Sequence, residues 1–287
     1  MSRKIKNFKS GSFASFDKTR IYYEMSGNSN FDKTMLFLHG LGGNLTVWDS
    51  QREFFAELGY TTIAIDIRGN GLSGRPKNRA KYTPEILAKD ILTFLEKEKI
   101  QNFILVGHCL GGIISIILTG SYKVKPQALI LIATTYKFPA YTTLIQRSQI
   151  LSLSADLLNQ IPFYLGKPGH MSMDKFRNTH DLNPRRILND IFYTTAQSFV
   201  SLYSNLFLFN GRKLLKNIDC PTLIIHGEKD TFFSPEYAIK LHKYIHGSEL
   251  VLLPKANHVL VSNFPQELNL IIDKYLREKI NPVINNQ

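Results

Sequence analysis

Cys109 stands where a side chain is most usable for chemistry. It sits in Gly107-His108-Cys109-Leu110-Gly111-Gly112, between a short β-rich run, Phe103 to Val106, and IISIILTG, which has helical length. The order strand, sharp turn, helix puts the thiol at the tip of the turn. Glycines two residues to either side let the chain pass close by, where a Cβ would collide. The helix that follows points its first amides at the tip, which favours a thiolate and any oxyanion formed beside it. A free cysteine is more often a small buried hydrophobe than a nucleophile. A catalytic reading therefore needs partners: an oxyanion donor upstream, and an acid and a histidine downstream.

Those partners occur at the ends of other β-rich runs. Met35 to Leu38 runs into His39-Gly40-Leu41-Gly42-Gly43, a loop whose backbone can turn N–H groups toward a ligand, and the Leu41 amide is the donor it offers. His39 reads as a brace for that loop. Pro221 to Ile225 leads into His226-Gly227-Glu228-Lys229-Asp230, and Leu250 to Leu253 into Pro254-Lys255-Ala256-Asn257-His258. A histidine beside a thiol forms a thiolate–imidazolium pair, attacks a carbonyl and then protonates the leaving group, while a carboxylate fixes its tautomer.

The elements that must position these residues alternate along the chain. Ser12–Phe16 and Arg20–Met25 read as an edge hairpin. Thr61–Ile65 and Ala128–Ala133 read as further buried strands, and Val47–Leu58 as a helix. A helix begins at Thr83-Pro84, with Ala88, Ile91, Leu92 and Leu95 facing a core and Lys89, Asp90, Glu96 and Lys97 on its solvated side. Ser234-Pro235 opens another, and a last one contains Leu268, Ile271, Ile272 and Tyr275. Strands alternating with amphipathic helices specify an α/β fold, a mostly parallel sheet with helices on both faces and its sites at the carboxyl ends of strands. Between residues 136 and 213 the strand rhythm stops. One helix is expected from Asn183-Pro184 to Asn210-Gly211, with an apolar stripe of Leu188, Ile191, Phe192, Thr195, Phe199, Leu202, Leu206 and Phe209. The segment is aromatic-rich, including Tyr136, Phe138, Tyr141, Phe163, Tyr164, Phe199 and Tyr203, as a cap lining a pocket would be.

With HGLGG early, DIRGNGLSG next, GHCLGG in the middle, HGEKD late and NH near the end, the chain resembles the α/β-hydrolase superfamily over nearly its full length. GHCLGG matches that family's G-x-S-x-G turn with cysteine in place of serine, and the order nucleophile, acid, histidine is the family's. The resemblance implies Cys109 as nucleophile, His258 as base, Asp230 as the group orienting it, and the Leu41 and Leu110 amides as oxyanion hole. No acid follows the ALILIA strand, so the carboxylate comes from HGEKD; Glu228 competes there, but the family's place for it matches Asp230. His108 and His226 are read as structural or pocket-lining, and Asp66, Arg68 and Ser73 as shaping the site. The implied organisation is a core of residues 1–135 and 214–287, with a helical cap, 136–213, inserted after the sixth strand. Cysteine in the nucleophile's place resembles the subset that includes dienelactone hydrolases, polyhydroxyalkanoate synthases and some thioesterases.

Composition sets the bounds. At 287 residues, 44% hydrophobic and 20% charged, the chain can bury one large core. The net charge of +12 is spread along it, with only Arg3, Lys4, Lys6 and Lys9 clustered and no nucleic-acid-binding motif beside them. No apolar run reaches a membrane span, and MSRKIKNFKSGSF lacks the apolar core of a secretory signal, so a cytoplasmic enzyme is expected, without stable membrane insertion. Two distant cysteines give no disulfide framework, and Cys220 reads as structural. No metal or nucleotide cofactor is implied. The expected activity is hydrolysis of esters, thioesters or lactones with apolar acyl groups through an acyl-cysteine. An acyltransferase with the same Cys-His-Asp triad is the alternative, and a non-catalytic binding protein stands third.

Overall fold

The computed structural model describes residues 8–27, 33–138, 168–170 and 173–280. In chain order they form β1 (Phe8–Ala14), β2 (Arg20–Ser26), β3 (Thr34–Leu38), α1 (Asp49–Glu57), β4 (Thr61–Ile65), α2 (Pro84–Lys97), β5 (Phe103–His108), α3 (Leu110–Gly120) and β6 (Ala128–Ile132). Then come α4 (Pro184–Thr194), α5 (Ala196–Leu206), β7 (Thr222–Gly227), α6 (Pro235–Tyr244), β8 (Glu249–Leu253) and α7 (Pro265–Lys279). The aromatics Tyr141, Phe163 and Tyr164 lie outside the described residues.

The sheet order is β1-β2-β4-β3-β5-β6-β7-β8. β1, β2 and β4 pair antiparallel and every other neighbour is parallel. Alternate residues of one strand serve opposite faces, and both faces are covered, which is why the strands read as unbroken apolar runs. Leu36, Leu38, Leu105, Leu129 and Leu131 pack with α2, α3 and α6. Met35, Phe37, Ile104, Val106 and Ile130 pack with α1 and α7. The chain leaves β3 in one direction for β4 and crosses to the other side at β5, so the crevice of this sheet opens between the carboxyl ends of β3 and β5. Parallel pairing of Leu38 with Gly107 brings His39-Gly40 beside His108-Cys109 there.

The edge hairpin forms, with β1 beginning at Phe8 rather than Ser12. α2 starts at the expected cap, the Thr83 side chain accepting from the Ile86 N–H. Asp90 departs from expectation: it is buried, not solvated. The buried Arg68 donates Nε and Nη2 to its two carboxylate oxygens at 2.8 and 2.6 Å and also grips Asp17 at 2.8 Å, while the Ser15 hydroxyl donates to Asp90. Burial pushes the Asp90 carboxyl up, and Arg68 opposes that shift. The network ties the β1–β2 turn, the loop after β4 and α2 together. An amphipathic pattern cannot show this, because a charged residue at the stripe's border reads as solvent-facing.

Removing one partner of such a buried pair leaves the other charge uncompensated. Asp90→Ala is expected to cost about 3 kcal/mol of unfolding free energy in urea titrations; a loss under about 1 kcal/mol would mean the network contributes no more than a surface pair.

Candidate active site

Cys109 is the residue between β5 and α3, with φ 50° and ψ −110°. A non-glycine residue at positive φ is strained, and the neighbouring backbone holds it there. The Cys109 N–H donates to the Ile132 carbonyl at 3.0 Å, and the Gly111 N–H to that of His39 at 3.1 Å. A Cβ on Gly40 would lie 3.2 Å from the Cys109 Cβ and 2.9 Å from His108 Nδ1, so only glycine lets the β3 loop come this close.

His258 and Asp230 meet across two loops. His258 Nδ1 donates to Asp230 Oδ2 at 2.8 Å, and Asp230 Oδ1 accepts the Phe232 and Phe233 N–H groups at 2.9 Å each. Burial alone would raise the Asp230 carboxyl, but the His258 charge and these bonds hold it below its usual range. Burial likewise disfavours a charged His258; the Asp230 carboxylate and Cys109, within hydrogen-bonding reach of the same ring, outweigh it and push the imidazole up to about 10. Glu228 is exposed and takes no part. Burial pushes three other histidines, His39, His108 and His226, toward the neutral form. His108 is pushed down to about 3 by burial and by the His258 charge, and donates Nε2–H to the His258 carbonyl at 3.0 Å. Burial lowers His39 too; its Nε2 accepts from the Ile67 N–H at 3.0 Å and its Nδ1 donates to the Gly40 carbonyl at 2.7 Å, the bracing role read from the sequence. His226 is buried and donates to the Phe233 carbonyl.

Among the described residues no acceptor takes the Leu41 or the Leu110 N–H. The loop after β4 supports this arrangement from behind: Asp66 accepts the Leu45 N–H at 2.9 Å and the Leu72 N–H at 2.7 Å.

Cys109 and His258 line a cavity of about 400 Å³ whose walls include Leu41, Phe138, Phe199, Tyr203 and Phe233. The single long helix expected over 183–210 is two helices. Thr195, at φ 71°, breaks it, because Arg75 captures the Tyr193 and Thr194 carbonyls at 2.9 and 3.2 Å and the Thr194 hydroxyl turns to the Gly42 carbonyl. The break rotates the first half. Leu188 and Phe192, expected inward, are 66% and 47% exposed, whereas Leu202 and Leu206 on α5 are buried as expected. The side of α4 that meets the cavity carries Arg186, Ile187 and Asp190, and the two charged residues had no role in the sequence reading. Burial in this wall pushes the Asp190 carboxyl up to about 7, against the lowering pull of Arg186. Their spacing of four on one helix was the available signal; the apolar stripe masked it.

Comparison with known proteins agrees with this architecture. A family model described as alpha/beta hydrolase fold matches residues 33–265. The chain is 27% identical over 278 residues to epoxide hydrolase 3 of Xenopus tropicalis, covering 90% of this chain and 75% of that protein. It is 23% identical over 252 residues to Protein ABHD8 of Homo sapiens, covering 85% of this chain but only 55% of that protein, so it spans about half the length of that relative. The structure of an esterase from Exiguobacterium antarcticum superposes with a TM-score of 0.70 at 22% identity, covering 93% of this chain and 98% of that one.

A protonated His258 beside the thiol makes a testable difference between the two cysteines. Cys220, pushed up to about 11 by burial, is expected to resist iodoacetamide while Cys109 is alkylated. Mass spectrometry finding Cys220 labelled and Cys109 intact would contradict this.

Proposed function

This chain belongs to the alpha/beta hydrolase fold family, and from that premise we propose that it hydrolyses carboxylic esters, thioesters or lactones with apolar acyl groups through an acyl intermediate on Cys109. The observation that carries the reading is a thiol at the strained turn, in reach of an imidazole that is itself bonded to a buried carboxylate, on the wall of an apolar cavity.

In this reading the Cys109 sulfur attacks the substrate carbonyl carbon and forms a C–S bond, and the carbonyl oxygen becomes an oxyanion received by the Leu41 and Leu110 N–H groups. Collapse breaks the bond to the leaving group, which departs with the proton from His258. A water then gives a proton to His258 and its oxygen to the acyl carbon. The C–S bond breaks, the acid is released, and the proton returns to the thiol pair. Asp230 holds the imidazole in one tautomer throughout and stays ionised. Residues 136–213 serve as a cap on the core of 1–135 and 214–287; what supports this is that Phe138, Phe199, Tyr203 and the described α4 contribute to the cavity wall. Among the described residues no helix is long and apolar enough to cross a membrane.

Cys109→Ala and His258→Ala should each lower kcat on p-nitrophenyl esters by on the order of 10³-fold or more. Rates should rise with acyl chain length, and Asp190→Asn should relieve discrimination against anionic acyl groups above pH 7, where the carboxylate dominates. If water is the acceptor, acid appears as fast as phenol. A burst of phenol, with an acyl adduct on Cys109 that persists for minutes and is discharged by an added alcohol or amine, would make the protein an acyltransferase instead.

A further inference from the structure

The described chain enters α4 through Asp181, a buried residue 3% exposed. Its Oδ1 accepts the His258 N–H at 2.9 Å, and its Oδ2 accepts both the Thr231 N–H and the Thr231 hydroxyl, each at 2.9 Å. Its own carbonyl accepts from Arg186 Nη2. One carboxylate thus joins the loop after β7, one residue beyond Asp230, to the loop after β8 at His258, and joins both to the helix that walls the cavity. Backbone bonds from the Glu228 and Lys229 N–H groups to the Leu253 and Ala256 carbonyls hold the roots of these loops; Asp181 holds their tips. His258 is consequently fixed on both sides, its N–H by Asp181 and its carbonyl by His108.

We propose that Asp181 is a positioning residue: it sets the separation of Asp230 and His258 and makes that separation depend on α4 being seated over the cavity. The proposal rests on His258 and Asp230 acting as base and orienting acid. The buried His258 N–H and the part-buried N–H and hydroxyl of Thr231 share its two oxygens, and a carboxylate holds such donors more strongly than a neutral acceptor. Asparagine keeps one carbonyl oxygen and can serve only one of the two loops well. Alanine serves neither, and frees the imidazole to drift relative to the thiol. A displacement of about 1 Å in a catalytic group costs on the order of 10²-fold in rate.

The test compares full-length wild type, Asp181→Asn and Asp181→Ala by steady-state kinetics on p-nitrophenyl butyrate, pH–rate profiles, thermal melting, and the far-downfield proton resonance of the His258–Asp230 hydrogen bond. We expect kcat to fall roughly 10²-fold in Asp181→Ala and less in Asp181→Asn, with KM within about threefold of wild type. The pH profile should shift and the downfield resonance should broaden or vanish. A folded variant with wild-type kcat, pH profile and resonance overturns the proposal. So does a variant that only melts earlier while its folded fraction works normally. Asp181→Asn carries the test if Asp181→Ala does not fold. The resonance separates the two readings. Its loss in Asp181→Asn, in a protein whose wild type turns over no ester, would sink the hydrolase reading and leave the positioning role standing.

Discussion

Holding Cys109 at φ 50° is the constraint on which the rest of the site depends. A strained residue persists only where its surroundings over-determine it, and here they do so from three strands. β5 delivers the chain into the turn, the β6 carbonyl of Ile132 takes the Cys109 N–H, and the His39 carbonyl at the end of β3 takes that of Gly111. The flanking glycines are spatial requirements. A Cβ on Gly107 would lie 2.5 Å from the Gly111 carbonyl oxygen, and one on Gly111 would lie 2.1 Å from that of Leu38. The crevice at the β3–β5 switch is therefore both where the half-buried thiol meets the cavity and where the backbone is packed too tightly to relax.

The electrostatics follow from that placement. An imidazolium against Phe232 and Phe233, whose rings meet His258 edge-on at 4.9 and 5.4 Å, is poorly hydrated, and only close opposite charge sustains it. Asp230 provides that charge and is itself satisfied by two backbone N–H groups, so its ionised form is favoured in turn. His108, one residue from the thiol, is driven neutral by the same burial and by the charge on His258, which leaves one charged imidazole at the site rather than two.

Behind this centre the fold buries further ion pairs. Arg68 with Asp17 and Asp90, and Arg52 with Glu24 at 3.0 Å, pin the antiparallel edge of the sheet to the helices and to the loop after β4. That loop in turn carries Asp66, which holds Leu45 and Leu72, and Ile67, which holds His39. A chain of hydrogen bonds thus runs from the edge hairpin to the HGLGG loop, so residues far from Cys109 help to hold that loop in place.

The amino-acid sequence by itself determined the strand–helix alternation, the elbow around Cys109, the HGLGG loop and the positions of Asp230 and His258, because each is a local matter of apolar period, glycine at a tight turn, or a polar residue just past a strand. Tertiary structure decided what depends on approach between distant segments. Asp90 turned inward because Arg68, 22 residues earlier, was waiting there. The helix expected to run through Thr195 broke because Arg75 and Gly42 bond its carbonyls and hydroxyl, and the break turned Leu188 and Phe192 outward and Arg186 and Asp190 toward the cavity. Asp181 shows the limit most plainly: nothing in the sequence around it marks it, since its partners lie 50 and 77 residues away and only folding brings a backbone N–H from each loop to one carboxylate.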